Sequence, residues 1–276
     1  MNWRHWLNRL FIFGVCSLAL IALLPLFSVL FYVISHGASS LTPGFFTSLP
    51  APVGEVGGGI GHAILGSVVL ISMCSLISIP LGLGMGILLS EYSQKPVSRV
   101  LGVVVELLSS IPSIVVGLFA YALVVRPFKG FSAHAGAIAL SMIMIPLVAR
   151  TTEEMLKLVP RSVREAGLAL GLPKARVILN IVLKGSMRSL TVGVILAVAR
   201  IAGETAPLLF TAFASQHWFQ GLSEPLASIP VQIYTYAVSP YEDWHAKAWG
   251  GALILILMVL GLNLLIRVFL PRRNDG

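Results

Sequence analysis

Two ionisable side chains lie inside an apolar stretch where charge is costly. Arg200 and Glu204 fall near the middle of a predicted membrane span at residues 190–213, where each ionised group costs on the order of 3 kcal/mol on insertion scales. A guanidinium presents a planar fork of donors that matches the oxygens of phosphate or a similar oxyanion, and it remains charged when buried. The sequence therefore predicts that Arg200 lines an anion pathway and that Glu204 restrains and orients it.

A structural interpretation of the same two residues stays open. They are four residues apart, so an ion pair between them could simply lock helix packing, although Arg before Glu is the weaker order for such a pair. Pro207 follows closely and favours a disturbed helix whose backbone groups open toward a cavity. Arg150, at the inner end of the preceding span, is a candidate second station of the pathway, and a plain anchor at the cytoplasmic surface explains it equally well.

The elements that must position these residues are membrane helices. The chain is 57% hydrophobic and only 11% charged, which is less than half the charge fraction of a typical soluble domain. The net charge of +8 does not indicate nucleic-acid binding, because the basic residues occupy loops that alternate with apolar runs. The composition predicts an all-α, polytopic integral membrane protein.

Six apolar runs predict six transmembrane helices, at residues 10–34, 65–89, 101–125, 135–149, 190–213 and 249–270. With this topology, 15 Lys and Arg residues lie on one side and three on the other. The side rich in basic residues should be cytoplasmic. We therefore expect both termini inside and the loops 35–64 and 214–248 outside.

Local features refine three of these spans. Gly82, Gly84 and Gly86 predict close helix packing near the inner end of the second span. Pro112 predicts a kink in the third span, where nearby hydroxyls or neighbouring helices must satisfy the freed carbonyls. Cys16 and Cys74 both fall within apolar runs, and we expect them to be buried free thiols.

A charged island at residues 150–188 carries eight of the 19 Lys and Arg residues and should face the cytoplasm. Its inner part predicts two short helices, the first opened by Pro160 and closed by Gly171, the second opened by Pro173. Small residues on the first helix leave room for another protein to approach: Ala166, Gly167 and Ala169. This predicts a docking hairpin, and a solvated loop that only fixes topology is the alternative.

The island also contains a motif. Glu165-Ala166-Gly167, then Gly171, then Ile181 and Leu183, resembles the EAA loop of binding-protein-dependent ABC importer permeases, in which EAA is followed after three residues by Gly and after nine more by I-x-L-P. Gly167 stands in place of the last Ala and Lys184 in place of the Pro. The resemblance implies a type I ABC importer permease (MetI-like) fold, with a coupling helix that sits in a groove of a separate ATPase. It assigns ATPase coupling to Glu165, Ala166, Gly167 and Gly171.

Longer strings narrow the resemblance to the permeases of phosphate ABC importers: IPSIVVGLF, RTTEEMLKLVP, SVREAGLALG and ARIAGETAPLLFTA. What this implies is uptake of inorganic phosphate by a complex in the bacterial cytoplasmic (inner) membrane. Its partners would be a second, different permease subunit, two ABC ATPase subunits, an extracytoplasmic (periplasmic) phosphate-binding protein and the surrounding lipid. The chain would bind no cofactor, and ATP would be used by the ATPase.

The same reading divides the chain into three parts. Residues 1–61 form an N-terminal transmembrane helix and outer loop, residues 62–270 form the transporter domain with its coupling loop at 153–184, and residues 271–276 form a cytoplasmic tail.

Three other functions remain as alternatives. A secondary anion carrier would also use a buried Arg and Glu but needs no docking hairpin. A permease for another oxyanion, such as sulfate or molybdate, would look the same by charge alone. An intramembrane enzyme is disfavoured because the sequence contains no HExxH motif and its six histidines lie in loops or termini. The chain also lacks a Walker A motif, since no Gly is followed directly by Lys.

Overall fold

Every regular element in the described part of the chain is helical. The computed structural model describes residues 2–52, 54, 55 and 57–269; the predicted tail at 271–276 lies outside them. In chain order the α-helices are α1 (Asn2–Gly37), α2 (Pro43–Thr47), α3 (Gly61–Glu91), α4 (Pro96–Ser110), α5 (Ser113–Ala120), α6 (Arg126–Phe128), α7 (Ala133–Lys157), α8 (Arg161–Ala169), α9 (Lys174–Val177), α10 (Lys184–Ala202), α11 (Ala206–Leu209), α12 (Ile229–Ala237) and α13 (Glu242–Phe269). A 3₁₀ turn (Ala38–Ser40) and two π-helical segments (Tyr121–Val125 and Ile178–Leu183) continue neighbouring helices.

Among the described residues, five helical stretches are long and apolar enough to cross a membrane. They are α1, α3, α7, α13 and the continuous stretch Lys174–Ala202 that contains α9 and α10. A sixth is formed by α4 together with Ser113–Phe128, which are bent by 104° at the break between them. Counted as one span, this bent pair gives the six spans that the hydropathy pattern predicts.

Two predicted spans differ from the observed helices. The third was expected to kink at Pro112, but the helix breaks there completely, because proline lacks an N–H and its ring disfavours helical geometry at Ile111. The fifth was predicted at 190–213, which is wrong at both ends. It begins at Lys174, since Val177, Ile178 and Val182 pack in the interior. It ends at Ala202, although apolar residues continue to Phe213.

The prediction of a second short helix in the charged island is also wrong. Pro173 does cap a helix, but that helix runs on through the π-helical segment into α10 rather than ending in the loop. The hairpin therefore has one short arm, α8, and one arm that is the inner end of a membrane helix.

The centre of the fold is the parallel pair α3 and α7, whose contacting residues rise together from Leu70 and Gly136 to Gly86 and Thr152. A methyl group added at Gly82 would lie 2.6 Å from Val148 Cβ, and one at Gly86 would meet Thr152 and lie 2.7 Å from the Ala149 carbonyl oxygen. The predicted close packing is thus confirmed at these two glycines. It is wrong for Gly84, which faces open space. The two helices are packed most tightly in their C-terminal parts.

A second packed layer lies at the N-terminal end of α3. It joins α2, the start of α3 and α12, with Phe45, Ile60 and Ile229 fully buried. The sequence analysis did not predict α12, which lies in the expected outer loop 214–248. Burial raises the pKa of Tyr236 in this helix to about 12, so its hydroxyl stays protonated and can donate to the Gly59 carbonyl at 3.4 Å.

Helix α1 touches the rest of the chain mainly at its C-terminal end. There Gly37 packs against the Trp249 backbone, and Tyr32 makes an edge contact with the Trp249 ring at 5.0 Å between centroids. Most of its other side chains face outward. Cys16 is therefore exposed, contrary to expectation, whereas Cys74 is buried as predicted and both thiols are free.

Candidate functional site

A cavity of about 240 Å³ opens where three parts of the fold meet. They are the break between α4 and α5, the middle of α7, and the last turn of α10 with the residues that follow it. The residues that line it are Leu108, Ser109, Ile111, Pro112, Ser113, Ile143, Leu147, Arg200 and Glu204. The two charged residues that the sequence singled out thus share one cavity, and we call it the central cavity.

The break at Pro112 turns a helix N-terminus toward the central cavity. Ser113 lines the cavity and is the first residue of α5, which no side chain caps. The amides of Val115 and Val116 both donate to the Pro112 carbonyl, whereas those of Ser113 and Ile114 have no backbone acceptor among the described residues. Unpaired amides and the helix dipole give this end a partial positive charge, which favours anions.

Serine hydroxyls satisfy carbonyls at the broken end of α4. Ser109 Oγ donates to the Val105 carbonyl and Ser110 Oγ donates to the Leu107 carbonyl, each at 2.8 Å. The Leu107 carbonyl lies in the last turn of α4, so the prediction that hydroxyls would serve freed carbonyls near Pro112 is confirmed for this group.

Arg200 and Glu204 do not form the helix-locking ion pair. Helix α10 ends at Ala202, so Arg200 lies in its last turn and Glu204 lies beyond it in non-helical chain. The four ion pairs within 4.0 Å among the described residues involve neither side chain. Arg200 is exposed and Glu204 is half-buried, and both face the central cavity. The ion-pair interpretation assumed a continuous helix, and the end of α10 removes that condition.

Arg150 lies elsewhere. It lines a different cavity of about 280 Å³, between α4 and the C-terminal part of α7. Its Nη1 donates to Glu153 Oε2 at 3.0 Å, and its Nη2 lies 3.6 Å from Glu106 Oε2 and donates to the Gly102 carbonyl. Glu153 also accepts from Lys157 Nζ at 2.6 Å. The role of Arg150 as a second station stays a prediction, and its guanidinium is held by carboxylates.

The charged island forms the bent hairpin that its prolines and glycine predict. Pro160 precedes α8, and Gly171 follows its end with a φ of +78°, a backbone conformation that glycine adopts without strain. Glu165 and Ala166 are exposed on α8. We call residues 160–177, which comprise α8, the turn at Gly171 and α9, the coupling hairpin.

One residue of the motif faces inward. Gly167 is buried, and a methyl group there would lie 2.9 Å from Ile181 and 3.0 Å from Val177. The expectation that Gly167 offers a surface to another protein is wrong, because it lets α8 pack against the next helix of the same chain. Ala166 and Ala169 remain on the surface as expected.

Sequence reasoning missed the ion pair that holds the coupling hairpin. Arg164 and Glu91 are 73 residues apart and approach to 2.6 Å between Arg164 Nη2 and Glu91 Oε1. Each was noticed only as one charge in an inner loop. No spacing signal could have paired them, since the contact depends on where α3 ends relative to α8.

Comparison with known proteins shows the family to which the chain belongs. A family described as "Binding-protein-dependent transport system inner membrane component" matches residues 78–275, more than half of the chain. The chain belongs to this family. Its members are transport components and not enzymes, in agreement with the expectation from sequence.

Related permeases extend the similarity over nearly the whole chain. The "Phosphate transport system permease protein PstA" of Yersinia pestis is 44% identical over 99% of this chain and 92% of its own length. That of Haemophilus influenzae is 41% identical over 99% and 96%. A "Probable phosphate transport system permease protein PstA" of Methanocaldococcus jannaschii is 35% identical over 94% and 92%. The resemblance to PstA permeases is confirmed.

Solved structures show the same fold at low identity. A structure titled "Inward facing conformations of the MetNI methionine ABC transporter" superposes with a TM-score of 0.63 at 15% identity, covering 76% of this chain and 94% of that one. An amino acid ABC transporter gives a TM-score of 0.58 at 17% identity, covering 75% and 90%. The predicted MetI-like fold of a type I ABC importer permease is confirmed.

Proposed function

We propose that this permease forms part of the membrane pathway of an ATP-driven importer for inorganic phosphate. The observation that carries the proposal is the central cavity, where an unpaired guanidinium and a helix N-terminus converge in a chain whose relatives are named as phosphate permeases. Both groups favour an anion, and the guanidinium fork fits the edge of a tetrahedral oxyanion.

Glu204 would make the pathway select phosphate over other oxyanions. A carboxylate in the same cavity repels a fully ionised anion but can accept a hydrogen bond from the hydroxyl of a protonated phosphate. Sulfate and molybdate have no such hydrogen at neutral pH, so Glu204 would be left unpaired beside them, which costs free energy. Phosphate is therefore favoured over the other oxyanions.

Arg150 belongs to the proposal as a second station closer to the cytoplasm. An anion that arrived there would have to compete with Glu106, whose contact at 3.6 Å is the looser of the two carboxylate contacts of Arg150. The exposed side chain of Glu106 is compatible with such an exchange.

The partners follow from the family and from the surfaces. A second, different permease subunit would complete the central cavity. Of the two ABC ATPase subunits, one would dock at the coupling hairpin of this chain through Glu165, Ala166 and Gly171, with Gly167 shaping α8 from within. A phosphate-binding protein would deliver substrate at the outer face. Surrounding lipid would cover the apolar helices. ATP would be bound and hydrolysed by the ATPase subunits.

The proposed location is the bacterial cytoplasmic (inner) membrane with both termini in the cytoplasm. The orientation can be tested with single cysteines at Ser39, Ser223 and Ser162 in a Cys16→Ser background, since Cys16 is exposed. An impermeant thiol reagent added to outer-permeabilised cells should label the first two and spare the third. The reverse pattern would refute the orientation.

The function is tested by phosphate uptake in cells that lack this permease, with and without the gene restored. Restoration should return high-affinity phosphate uptake, and excess sulfate or molybdate should compete weakly. Uptake of sulfate without uptake of phosphate would overturn the proposal in favour of another oxyanion. Phosphate uptake that continues in ATP-depleted cells would favour a secondary carrier.

A further inference from the structure

Arg164 joins three helices at one point. From its place on α8, its Nε and Nη2 donate to the Glu91 carboxylate at the end of α3, at 2.6 to 3.1 Å. Its Nη2 also donates to the Leu156 carbonyl at 2.8 Å, and its Nη1 donates to the Val159 carbonyl at 2.6 Å. Those carbonyls lie at the C-terminus of α7, where helices leave acceptors unpaired.

The burial of this contact makes it strong and specific. The Glu91 side chain is 5% exposed and that of Arg164 is 19% exposed, so solvent screens the pair little. A guanidinium offers five donors in a fixed fork, and a Lys at this place could not reach the carboxylate and both carbonyls together. Arg164 also lies at two helix C-termini, where a cation is stabilised by the helix dipoles.

The second arm of the hairpin reaches the same point. Lys174 Nζ, on α9, donates to the Glu91 carbonyl at 3.0 Å and lies 4.0 Å from the centroid of the Tyr92 ring. The arms on both sides of Gly171 are therefore attached to the end of α3.

Helix α3 in turn packs closely on α7, because Gly82 and Gly86 leave no room for a side chain between the two helices. Ile143 and Leu147 of α7 line the central cavity. A continuous set of packed contacts thus runs from the hairpin to the cavity wall.

We propose that Arg164 and Glu91 form a latch that transmits movement of the coupling hairpin to the α3–α7 pair. The latch is a positioning element for coupling, and it neither binds phosphate nor contacts the ATPase. This inference rests on the proposed function, in which an ATPase moves the hairpin. It assigns coupling to two residues outside the small-residue motif.

The test uses Glu91→Gln in the full complex of both permeases and the ATPase, reconstituted in vesicles with the phosphate-binding protein. Glutamine keeps one acceptor for Arg164 and loses the charge. Phosphate transported per ATP hydrolysed should fall roughly 5- to 20-fold, within the range that coupling between distant sites produces, while ATPase copurification and membrane abundance hold. Arg164→Lys should give a similar loss. The matched control is Glu154→Gln, an exposed glutamate on α7 with no partner among the described contacts.

A second readout does not depend on the substrate. Spin labels at Leu76→Cys, on the exposed face of α3, and Ser162→Cys, on α8, report the position of the hairpin in a Cys16→Ser background. The distance distribution between them should be narrow with Glu91 present and broader in Glu91→Gln.

Several results would overturn the latch. An unchanged distance distribution, a broader one with normal transport per ATP, or a loss explained by a detached ATPase would each do so. If the unmodified complex imports no phosphate, the proposed function fails, and the label distances alone decide whether Arg164 and Glu91 fix the hairpin.

Discussion

Arg200 and Arg164 are the same chemical group in two opposite settings. Arg164 is largely buried, and four of its five N–H donors are bonded to the Glu91 carboxylate and two backbone carbonyls. Arg200 is exposed to a cavity and has no ion pair among the described contacts. A guanidinium whose donors bond to protein groups holds helices together, whereas one without protein partners is available to an anion. The pairing of a charged group therefore indicates its role better than its depth in the membrane does.

The largest expected effect comes from removing the guanidinium of Arg200. Arg200→Ala should lower phosphate uptake by roughly 100-fold, since two charge-assisted hydrogen bonds to the anion are lost. Membrane abundance should hold, because no protein group loses a partner. Arg200→Lys should be partly active, as a point charge replaces the fork. Uptake and immunoblots on the same cells provide the measurement, and normal uptake by Arg200→Ala would break the comparison.

The next largest expected effect concerns the coupling hairpin, which Arg164 holds in place. An added Cβ at Gly171 meets nothing within 4 Å, so only the φ of +78° opposes a substitution. Gly171→Val should therefore strain the hairpin by about 1–2 kcal/mol, which corresponds to roughly a tenfold loss of transport.

Two controls accompany Gly171→Val. Gly171→Asn should retain most activity, because Asn tolerates this conformation. Gly185→Val changes a glycine that also faces open space but without a positive φ, and it should transport nearly normally. Equal activity of Gly171→Val and Gly171→Asn would show that the bend does not require glycine.

Glu204 extends the comparison of the two arginines, because it also lines the central cavity and has no ion pair among the described residues. Glu204→Gln should weaken the preference for phosphate over sulfate roughly fivefold, since the charge that accepts a hydrogen from phosphate and repels sulfate is gone. Phosphate uptake with increasing sulfate as competitor measures it. An unchanged preference would remove Glu204 from selectivity.

The smallest expected effect lies in the paired set around Glu153, which is buried between Arg150 and Lys157. Glu153→Gln should cost about 1 kcal/mol of stability, because both cations are partly exposed and screened. The purified protein should melt at a slightly lower temperature, with the KM for phosphate unchanged. A raised KM would show that the charge of Glu153 also determines how Arg150 meets the anion.

Much of the fold could be predicted from sequence because a bilayer forces backbone groups to be satisfied within helices. The number of spans follows from the apolar runs, and the proline predicts a kink near Pro112, although not the complete break. The end of α10 could not be predicted, since mostly apolar residues continue from Gly203 to Phe213 while the chain folds back as α11 against α5.

The candidate site divides in the same way. Arg200 and Glu204 could be found because charge stands out against an apolar background. The latch could not, because Glu91 and Arg164 each lie among other charged loop residues and meet only in three dimensions. Gly167 was misjudged for a related reason, as a small residue fits an internal contact as well as an external one.

The central claim is that Arg200 and Glu204 serve the substrate rather than each other. Phosphate uptake and membrane abundance of Arg200→Ala/Glu204→Ala, measured beside both single variants, test it most directly. We predict that the double variant is as inactive as Arg200→Ala and as abundant as the unmodified permease. A double variant that transports phosphate, from single variants that do not, would show a structural pair and contradict the account.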